Sequence, residues 1–384
     1  MRIYLDHNAS CPLRAVARHA LNGALSAAPG NPSSAHAEGR AARRLLEQAR
    51  AECAALLAAE PDEIVFTSGG SESNAMALGL APPRSRVACA DIEHPSILAP
   101  LEARAAAGGR RRLRLAVDAA GLIDPAALHD PGQPAPALVV FGLANHELGT
   151  LQDASALVAA ARGCRARVHV DASQAAGRVP LDFRALGADT LTVSAHKFGG
   201  PVGLGLLVVR RGVDLPPLLA GGSQQDGRRA GTEPVALAVA AAAALREALA
   251  ELPQAAPRWR DWVRRLHAAI CAIEPQVQCN SPATGGLPNT LNLSFPGRRG
   301  ASLVHRLDLE GVACSHGSAC ASGSLQPSPV LLAIGASEER ARGALRFSVG
   351  PANVEADLDR FPAALSAALR APGASTLTDS SEAR

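Results

Sequence analysis

The sequence predicts an α/β fold in which a large domain carries a mainly parallel sheet with helices on both faces, and a smaller α+β domain follows. Three observations support this. Short β-rich runs alternate with stretches of helical periodicity through the first two thirds of the chain, the pattern of strand–helix–strand units. Past residue 253 the alternation changes character. At 384 residues, the chain exceeds one ordinary globular domain, so two domains sharing a cleft are expected.

The elements follow in order. Residues 37–58 repeat apolar positions at helical spacing. β-rich runs stand at 64–67, 87–90, 113–117, 137–143, 168–171, 190–194 and 205–209, most of them separated by helical stretches. Residues 232–252 read as one Ala/Leu helix that stops at Pro253. A helix over 258–273, a strand over 290–295, a helix over 301–309, a Gly/Ser/Ala loop around Cys320 and a strand over 345–349 make up the small domain, closed by a helix over 354–369. The expected boundaries are an N-terminal arm over 1–14 packing with the small domain, a large domain over 15–252, a small domain over 253–370, and a polar tail over 371–384 without fixed structure. There are no internal repeats.

Composition narrows the function. Hydrophobic residues make up 47% and charged residues 19%, a core-forming balance. The net charge of +3 is too near neutral to make nucleic acid or an anionic membrane the main partner. The longest apolar run, 235–245, is too short to span a bilayer, and no apolar leader opens the sequence, so a cytoplasmic location is expected. Eight cysteines are scattered without a C-x-x-C pair, which leaves neither a metal site nor a disulfide framework and makes most of them small buried hydrophobes.

The lysine count is the most informative number. Lysine and arginine together number 38, and only one of them, Lys197, is lysine, so 37 are arginine. Arginine stays protonated and cannot form a Schiff base at neutral pH. A single lysine kept in such a background points to a role that needs an amine, although an ordinary surface lysine is the plain alternative.

Three segments carry the chemistry. Thr67-Ser68-Gly69-Gly70-Ser71-Glu72-Ser73 follows a strand and opens a helix, leaving backbone N–H groups to face an anion; a capping box around Ser71 is an equal reading. Val168-His169-Val170-Asp171 ends a parallel strand with a carboxylate, where α/β sheets bind ligands. Such a carboxylate can keep a pyridine nitrogen protonated and make the ring an electron sink, or it can simply cap a helix. Ser194-Ala195-His196-Lys197-Phe198-Gly199-Gly200-Pro201 sets the lone lysine after a further strand, with Ser194 and His196 able to reach a phosphate. The combination is far more specific than any member.

Asp171-x-x-Gln174, Ser194-x-His196-Lys197 and Arg229-Ala-Gly-Thr232 together resemble the class V aminotransferase group of fold-type I pyridoxal-phosphate enzymes. Further motifs, Tyr4-Leu5-Asp6-His7-Asn8-Ala9, Gly30-Asn31-Pro32-Ser33-Ser34, Glu93-His94, Gly317-Ser318-Ala319-Cys320 and Leu345-Arg346-Phe347-Ser348, narrow the resemblance to cysteine desulfurases of the NifS/IscS kind. They run in order from residue 4 to about 350, covering nearly the whole chain. The resemblance implies a fold-type I architecture and a role for each residue. Lys197 would bind the cofactor as a Schiff base and move protons at the substrate α-carbon. Asp171 would pair with the pyridinium nitrogen, Gln174 with the ring hydroxyl, and His94 would stack on the ring and act in catalysis. Gly70, Ser71, Ser194 and His196 would hold the phosphate, joined by Thr232 across a homodimer. Arg346 would clamp the substrate carboxylate.

Cys320 selects desulfurase over aminotransferase in this reading. It lies among small residues, in a loop able to carry a thiolate to a substrate sulfur, with His316 a candidate neighbour. The implied substrate is L-cysteine, the implied products are L-alanine and a Cys320 persulfide, and the implied partner is a sulfur-acceptor protein. A selenocysteine lyase, a plain aminotransferase or a non-catalytic docking partner are the rivals. The chain departs from the family's pattern at Asn145-His146-Glu147, where His146 stands at the position of a cofactor-contacting asparagine, at Val202, and at Gly221-Gly222-Ser223. It also ends in a polar tail instead of the docking extension of the scaffold-binding type.

Overall fold

The computed structural model describes residues 2–27, 29–109, 111–129, 132, 134–317 and 326–370. Cys320 and the tail over 371–384 therefore lie outside the described residues.

The core is a seven-stranded sheet whose order, from one edge to the other, is Ile64–Thr67, Gly205–Val209, Thr190–Ser194, Arg167–Asp171, Leu138–Gly142, Arg86–Ala90 and Arg111–Leu115. All pairings are parallel except those of Gly205–Val209, which runs against both its neighbours. The reason is local. The connection 195–204 holds no long helix to carry the chain back across the sheet, so the next strand returns as a hairpin arm. Inner strands such as Leu138–Gly142 and Thr190–Ser194 are buried almost throughout, as a sheet covered on both faces requires. Helices Ala15–Ala27 and Ala37–Leu56 pack along one long helix, Val235–Ile273.

That long helix corrects one expectation. It begins at Val235 and continues through Pro253 and Pro257 to Ile273, whereas the sequence predicts a stop at Pro253. The two prolines are four residues apart, so the two lost N–H donors fall on the same face and the opposite face stays intact. Buried Ala248 and Leu252 precede the break, and buried Ala255, Trp259 and Trp262 follow it. The packing on both sides holds the helix together.

The first half of that helix joins the large core around the sheet, including Ala241, Leu245 and Ala248. The second half enters another cluster with Trp259, Trp262, Phe347 and Phe361. Ile3 and Leu5 belong to this second cluster, and Ile3–Tyr4 pairs in parallel with Val312–Ala313. A three-stranded antiparallel sheet, Gln278–Cys279, Thr290–Ser294 and Ala344–Ser348, completes it. Of the seven described cysteines, Cys11, Cys53, Cys89 and Cys314 are buried, while Cys279 is exposed. Among the described residues, no helix is long and apolar enough to cross a membrane.

Candidate active site

A cavity of 280 Å³ opens at the carboxyl ends of the parallel strands. Gly70, Ser71, His94, His146, Asp171, Gln174, Ser194, His196, Lys197 and Arg346 all line it. These residues are spread over 276 positions of sequence from Gly70 to Arg346 (346 − 70), and the fold brings them to one place. Of the remaining expected site residues, Thr232 is exposed and away from this cavity, and Cys320 lies outside the described residues.

Asp171 ends its strand with the carboxylate nearly buried. Asn74 Nδ2 donates to its Oδ2 at 2.8 Å and the Ser173 N–H to its Oδ1 at 2.8 Å. No helix starts here, so the capping alternative reduces to the single bond from Ser173. Asn74 is a hub that sequence reasoning missed. Its Oδ1 lies 3.0 Å from His169 Nε2, its Nδ2 also donates to Ser96 Oγ at 2.8 Å, and His169 Nδ1 lies 2.9 Å from Thr190 Oγ1. Burial lowers the His169 pKa to about 4, so its ring is neutral and Nε2 carries the proton given to Asn74. Ser96 Oγ lies 2.8 Å from His94 Nδ1, which also accepts the Ser96 N–H at 3.1 Å. One buried amide thus orients the carboxylate at the sheet and, through a hydroxyl, the imidazole across the cavity.

His94 caps the helix Pro95–Ala106 and meets His146 edge-on, ring centroids 5.5 Å apart. Burial drives the His146 pKa well below its ordinary value, and among the described residues its Nε2 has no hydrogen-bond partner. Glu147 beside it is fully buried and its pKa is raised by that burial, while its Oε2 accepts from Ser328 Oγ at 2.6 Å.

At the other end of the cavity, the helix Gly70–Ala77 starts after Gly69 without any side-chain cap. The capping box around Ser71 is not formed; Glu72 Oε2 accepts the Ser68 N–H instead, at 2.6 Å. Gly69 has φ 155°, and a Cβ on Gly205 would sit 2.6 Å from the Gly69 carbonyl carbon, so two glycines let the turn lie flat on the strand. Gly70 faces Ser173 Oγ and Ser194 Cβ.

Lys197 closes the short turn Ala195–Lys197 directly after its strand. Its Nζ donates to the Asn8 carbonyl at 2.8 Å and the Ala9 carbonyl at 3.0 Å. Gln174 Nε2 donates to the same Asn8 carbonyl at 2.9 Å. Burial first, then the Lys197 and Arg178 charges, lower the His196 pKa to about 4. Arg346, 1% exposed, donates from Nη2 to Asp6 Oδ1 at 2.7 Å and from Nη1 to the His146 carbonyl at 2.9 Å. Its Nε–H is buried without a partner among the described residues. Burial, then His305, lowers the His316 pKa.

These features fit pyridoxal phosphate. A buried carboxylate with only neutral donors among the described residues suits a protonated ring nitrogen, an uncapped helix start among hydroxyls suits a phosphate, and an amine lines the same cavity. The site is that of a pyridoxal-phosphate enzyme of the α/β class. The pattern of the family Aminotransferase class-V matches residues 3–361, and the chain belongs to that family.

Its curated relatives agree over nearly full length. A protein named cysteine desulfurase IscS from Dictyoglomus turgidum is 38% identical over 366 residues, 93% of this chain and 92% of that protein. A protein named IscS-like cysteine desulfurase from Mycobacterium tuberculosis is 38% identical over 391 residues, 97% of this chain and 99% of its own. Among solved structures, a NifS-like protein superimposes with a TM-score of 0.88 at 31% identity, covering 96% of this chain and 99% of its own. The structure described as SspA in complex with cysteine gives a TM-score of 0.79 at 31% identity, over 92% of this chain and 100% of that one.

Proposed function

We propose that this protein is a cysteine desulfurase that removes sulfur from L-cysteine, leaving L-alanine and a persulfide on Cys320. The observation that supports it most is the convergence of Lys197, Asp171, His94, the Gly70–Ser71 turn and Arg346 on one cavity, in a chain whose full-length relatives carry that name.

When bound, the cofactor supplies an electron-accepting ring and a carbonyl for amine exchange. The chain's own residues do the rest. Asp171, fixed by Asn74 and the Ser173 N–H, would meet the ring nitrogen and favour its protonated form. Gly70, Ser71, Ser194 and His196 would hold the phosphate, the helix start adding its N–H groups. Gln174 would offer its amide to the ring hydroxyl, and His94, set by Ser96, would cover the ring. Arg346, paired with Asp6, would offer its Nε–H, which has no partner among the described residues, to the substrate carboxylate. Lys197 takes and returns the proton at the substrate α-carbon. The Cys320 thiolate attacks the substrate sulfur: an S–S bond forms as the C–S bond breaks, and the β-carbon gains a proton. Atoms and electrons balance as L-cysteine plus thiol giving L-alanine plus persulfide, with no external oxidant. An acceptor protein, an iron–sulfur scaffold or other sulfur carrier, then takes the sulfur. The enzyme works as a homodimer in which Thr232 reaches the phosphate held by the partner. Its exposure and the nearby Arg229–Glu72 ion pair at 2.9 Å support that placement.

The test is Cys320→Ala. The variant is expected to keep its cofactor and its spectral response to L-cysteine while alanine release falls by orders of magnitude. In the unsubstituted protein, the Cys320 peptide is expected to gain the mass of one sulfur, removable by reductant. Alanine and sulfide at the unsubstituted rate from the variant would overturn the proposal.

A further inference from the structure

The turn at Gly69–Gly70 is bordered on both sides by one segment from far along the chain. The strand Ile64–Thr67 leads into the turn and the helix Gly70–Ala77 leaves it. Gln225, nearly buried, lies against the strand: its side-chain oxygen accepts the Phe66 N–H at 2.6 Å and its Nε2 donates to the Phe66 carbonyl at 2.7 Å. Four residues on, Arg229 reaches the helix. Its Nε donates to Glu72 Oε1 at 2.9 Å and its Nη2 to Glu72 Oε2 at 3.3 Å, a two-pronged ion pair.

The backbone between these two ties is strained. Gln225 has φ 51° and Asp226 φ 59°, in the left-handed region that only glycine adopts freely. Such conformations persist where surrounding contacts over-determine them, and they concentrate at functional sites. Here the contacts are the two ties, one before the turn and one after it.

Glu72 gives the second tie its chemical meaning. It is the third residue of the helix, next to Ser71, and its side chain is 11% exposed. Burial raises its pKa, but the bonds from Arg229 and from Ser68 outweigh that effect and leave it below the ordinary glutamate value. The group is therefore ionised near neutral pH. Gly70 and Ser71 line the cavity and Glu72 does not, so its charge stands behind a turn suited to an anion. An unpaired carboxylate there would repel a phosphate. We propose that Arg229 is a positioning residue for the cofactor phosphate: it neutralises Glu72 and holds that carboxylate behind the turn, leaving the helix start to the phosphate. This rests on the Gly70–Ser71 turn being the phosphate site. Arginine suits the task because its planar fork meets both carboxylate oxygens, whereas an ammonium is a single point charge. The Glu72 bond, against burial, raises the Arg229 pKa, and the Glu233 charge adds to the rise, so the guanidinium stays charged.

The test is a double-mutant cycle on the full chain freed of cofactor. Equilibrium dialysis gives dissociation constants for pyridoxal phosphate and for pyridoxal, which lacks the phosphate. Arg229→Met leaves Glu72 unpaired and is expected to weaken pyridoxal phosphate roughly tenfold or more, and pyridoxal by less than about threefold. Glu72→Gln removes the charge and is expected to keep pyridoxal phosphate within about threefold of the unsubstituted protein. The double variant Glu72→Gln/Arg229→Met is expected to recover most of the loss seen in Arg229→Met, because the repelling charge is gone. A tie that acted only by holding the segment in place would show no such recovery. A double variant as weak as Arg229→Met, or an equal loss for both ligands, overturns the proposal. Should Arg229→Met fail to fold, the other two variants decide: pyridoxal phosphate within about threefold in both supports the proposal, and a loss of about tenfold in either overturns it. Failure of the phosphate assignment itself would appear separately, as an unsubstituted protein that binds pyridoxal as tightly as pyridoxal phosphate.

Discussion

Glu93 offers a measurable link between burial and pH. Its side chain is 6% exposed and its Oε2 accepts the Gly142 N–H at 2.7 Å. Burial raises its pKa from 4.5 to about 8, with the Asp171 charge adding to the rise, against the Gly142 bond and Arg112. The group is therefore protonated in the folded chain and ionised in the unfolded chain between these values. Its stabilisation is fully present below about pH 4.5 and is lost progressively as pH rises through about 8. Each unit in that window is worth about 1.4 kcal/mol, so raising the pH from 5 to 8 removes on the order of 3–4 kcal/mol. Glu93→Gln keeps the acceptor for the Gly142 N–H and abolishes the titration. Urea unfolding of the two cofactor-free proteins at several pH values is the assay. The glutamine variant is expected to lie close to the unsubstituted protein at pH 5 and to exceed it by about that amount at pH 8. Stability profiles that run parallel from pH 5 to 8 would refute the reasoning.

Other expectations rest on single contacts. Asn74→Ala strips a donor from Asp171 and an acceptor from His169, each unmatched buried group worth about 1–3 kcal/mol, so the cofactor dissociation constant measured by equilibrium dialysis should rise about tenfold or more. An unchanged constant would remove Asn74 from its orienting role. Arg346→Gln should raise the KM for L-cysteine on the order of 100-fold while the bound cofactor's spectrum persists; equal losses in cofactor retention would point to a structural role instead. Phe361→Ala, which deletes a fully buried ring 5.5 Å from Phe347, should cost about 3–5 kcal/mol in unfolding free energy without touching cofactor binding. A loss below about 1 kcal/mol would mean that the second core repacks around the gap.

What the sequence made legible was whatever repeats along the chain or sits at the end of a strand. The strand ending at Asp171, the turn at Gly69-Gly70 and the lysine after Ser194 are local patterns with local physical reasons, and the fold brings them together where they were expected. Asn74 escaped because its partners, His169 and Asp171, stand 95 and 97 positions away in sequence. A sign was present: Asn74 lies four residues after Gly70, one helical turn inward from the phosphate turn, where a polar residue facing the sheet needs a partner. The Arg229–Glu72 pair escaped for a different reason. In a chain with 37 arginines, nothing marks which of them meets a given carboxylate. The run through Pro253 was misread because proline's local penalty is visible in sequence, whereas the packing of Trp259 and Trp262 that overrides it is not.

The charge pattern of the site follows from burial more than from residue identity. His7, His169 and His196 have pKa values of about 3, 4 and 4, and His146 lies well below its ordinary value, each chiefly by desolvation. Near neutral pH these four rings are therefore hydrogen-bonding groups without charge, although histidine is the residue normally expected to titrate there. Among the described residues, the charges at the cavity include the Asp171 carboxylate, the Lys197 amine and the Arg346 guanidinium, the last paired with Asp6. Asp6 and Arg346 neutralise one another. What remains is the Asp171 carboxylate at the strand end, held by Asn74 and the Ser173 N–H, where it can keep a ring nitrogen protonated. Burial meanwhile raises the Glu93 pKa to about 8, close to neutrality. Loss of its proton would set a second negative charge beside Asp171, so function that falls as pH rises through about 8 in the unsubstituted enzyme, and persists in Glu93→Gln, would carry the signature of that carboxyl.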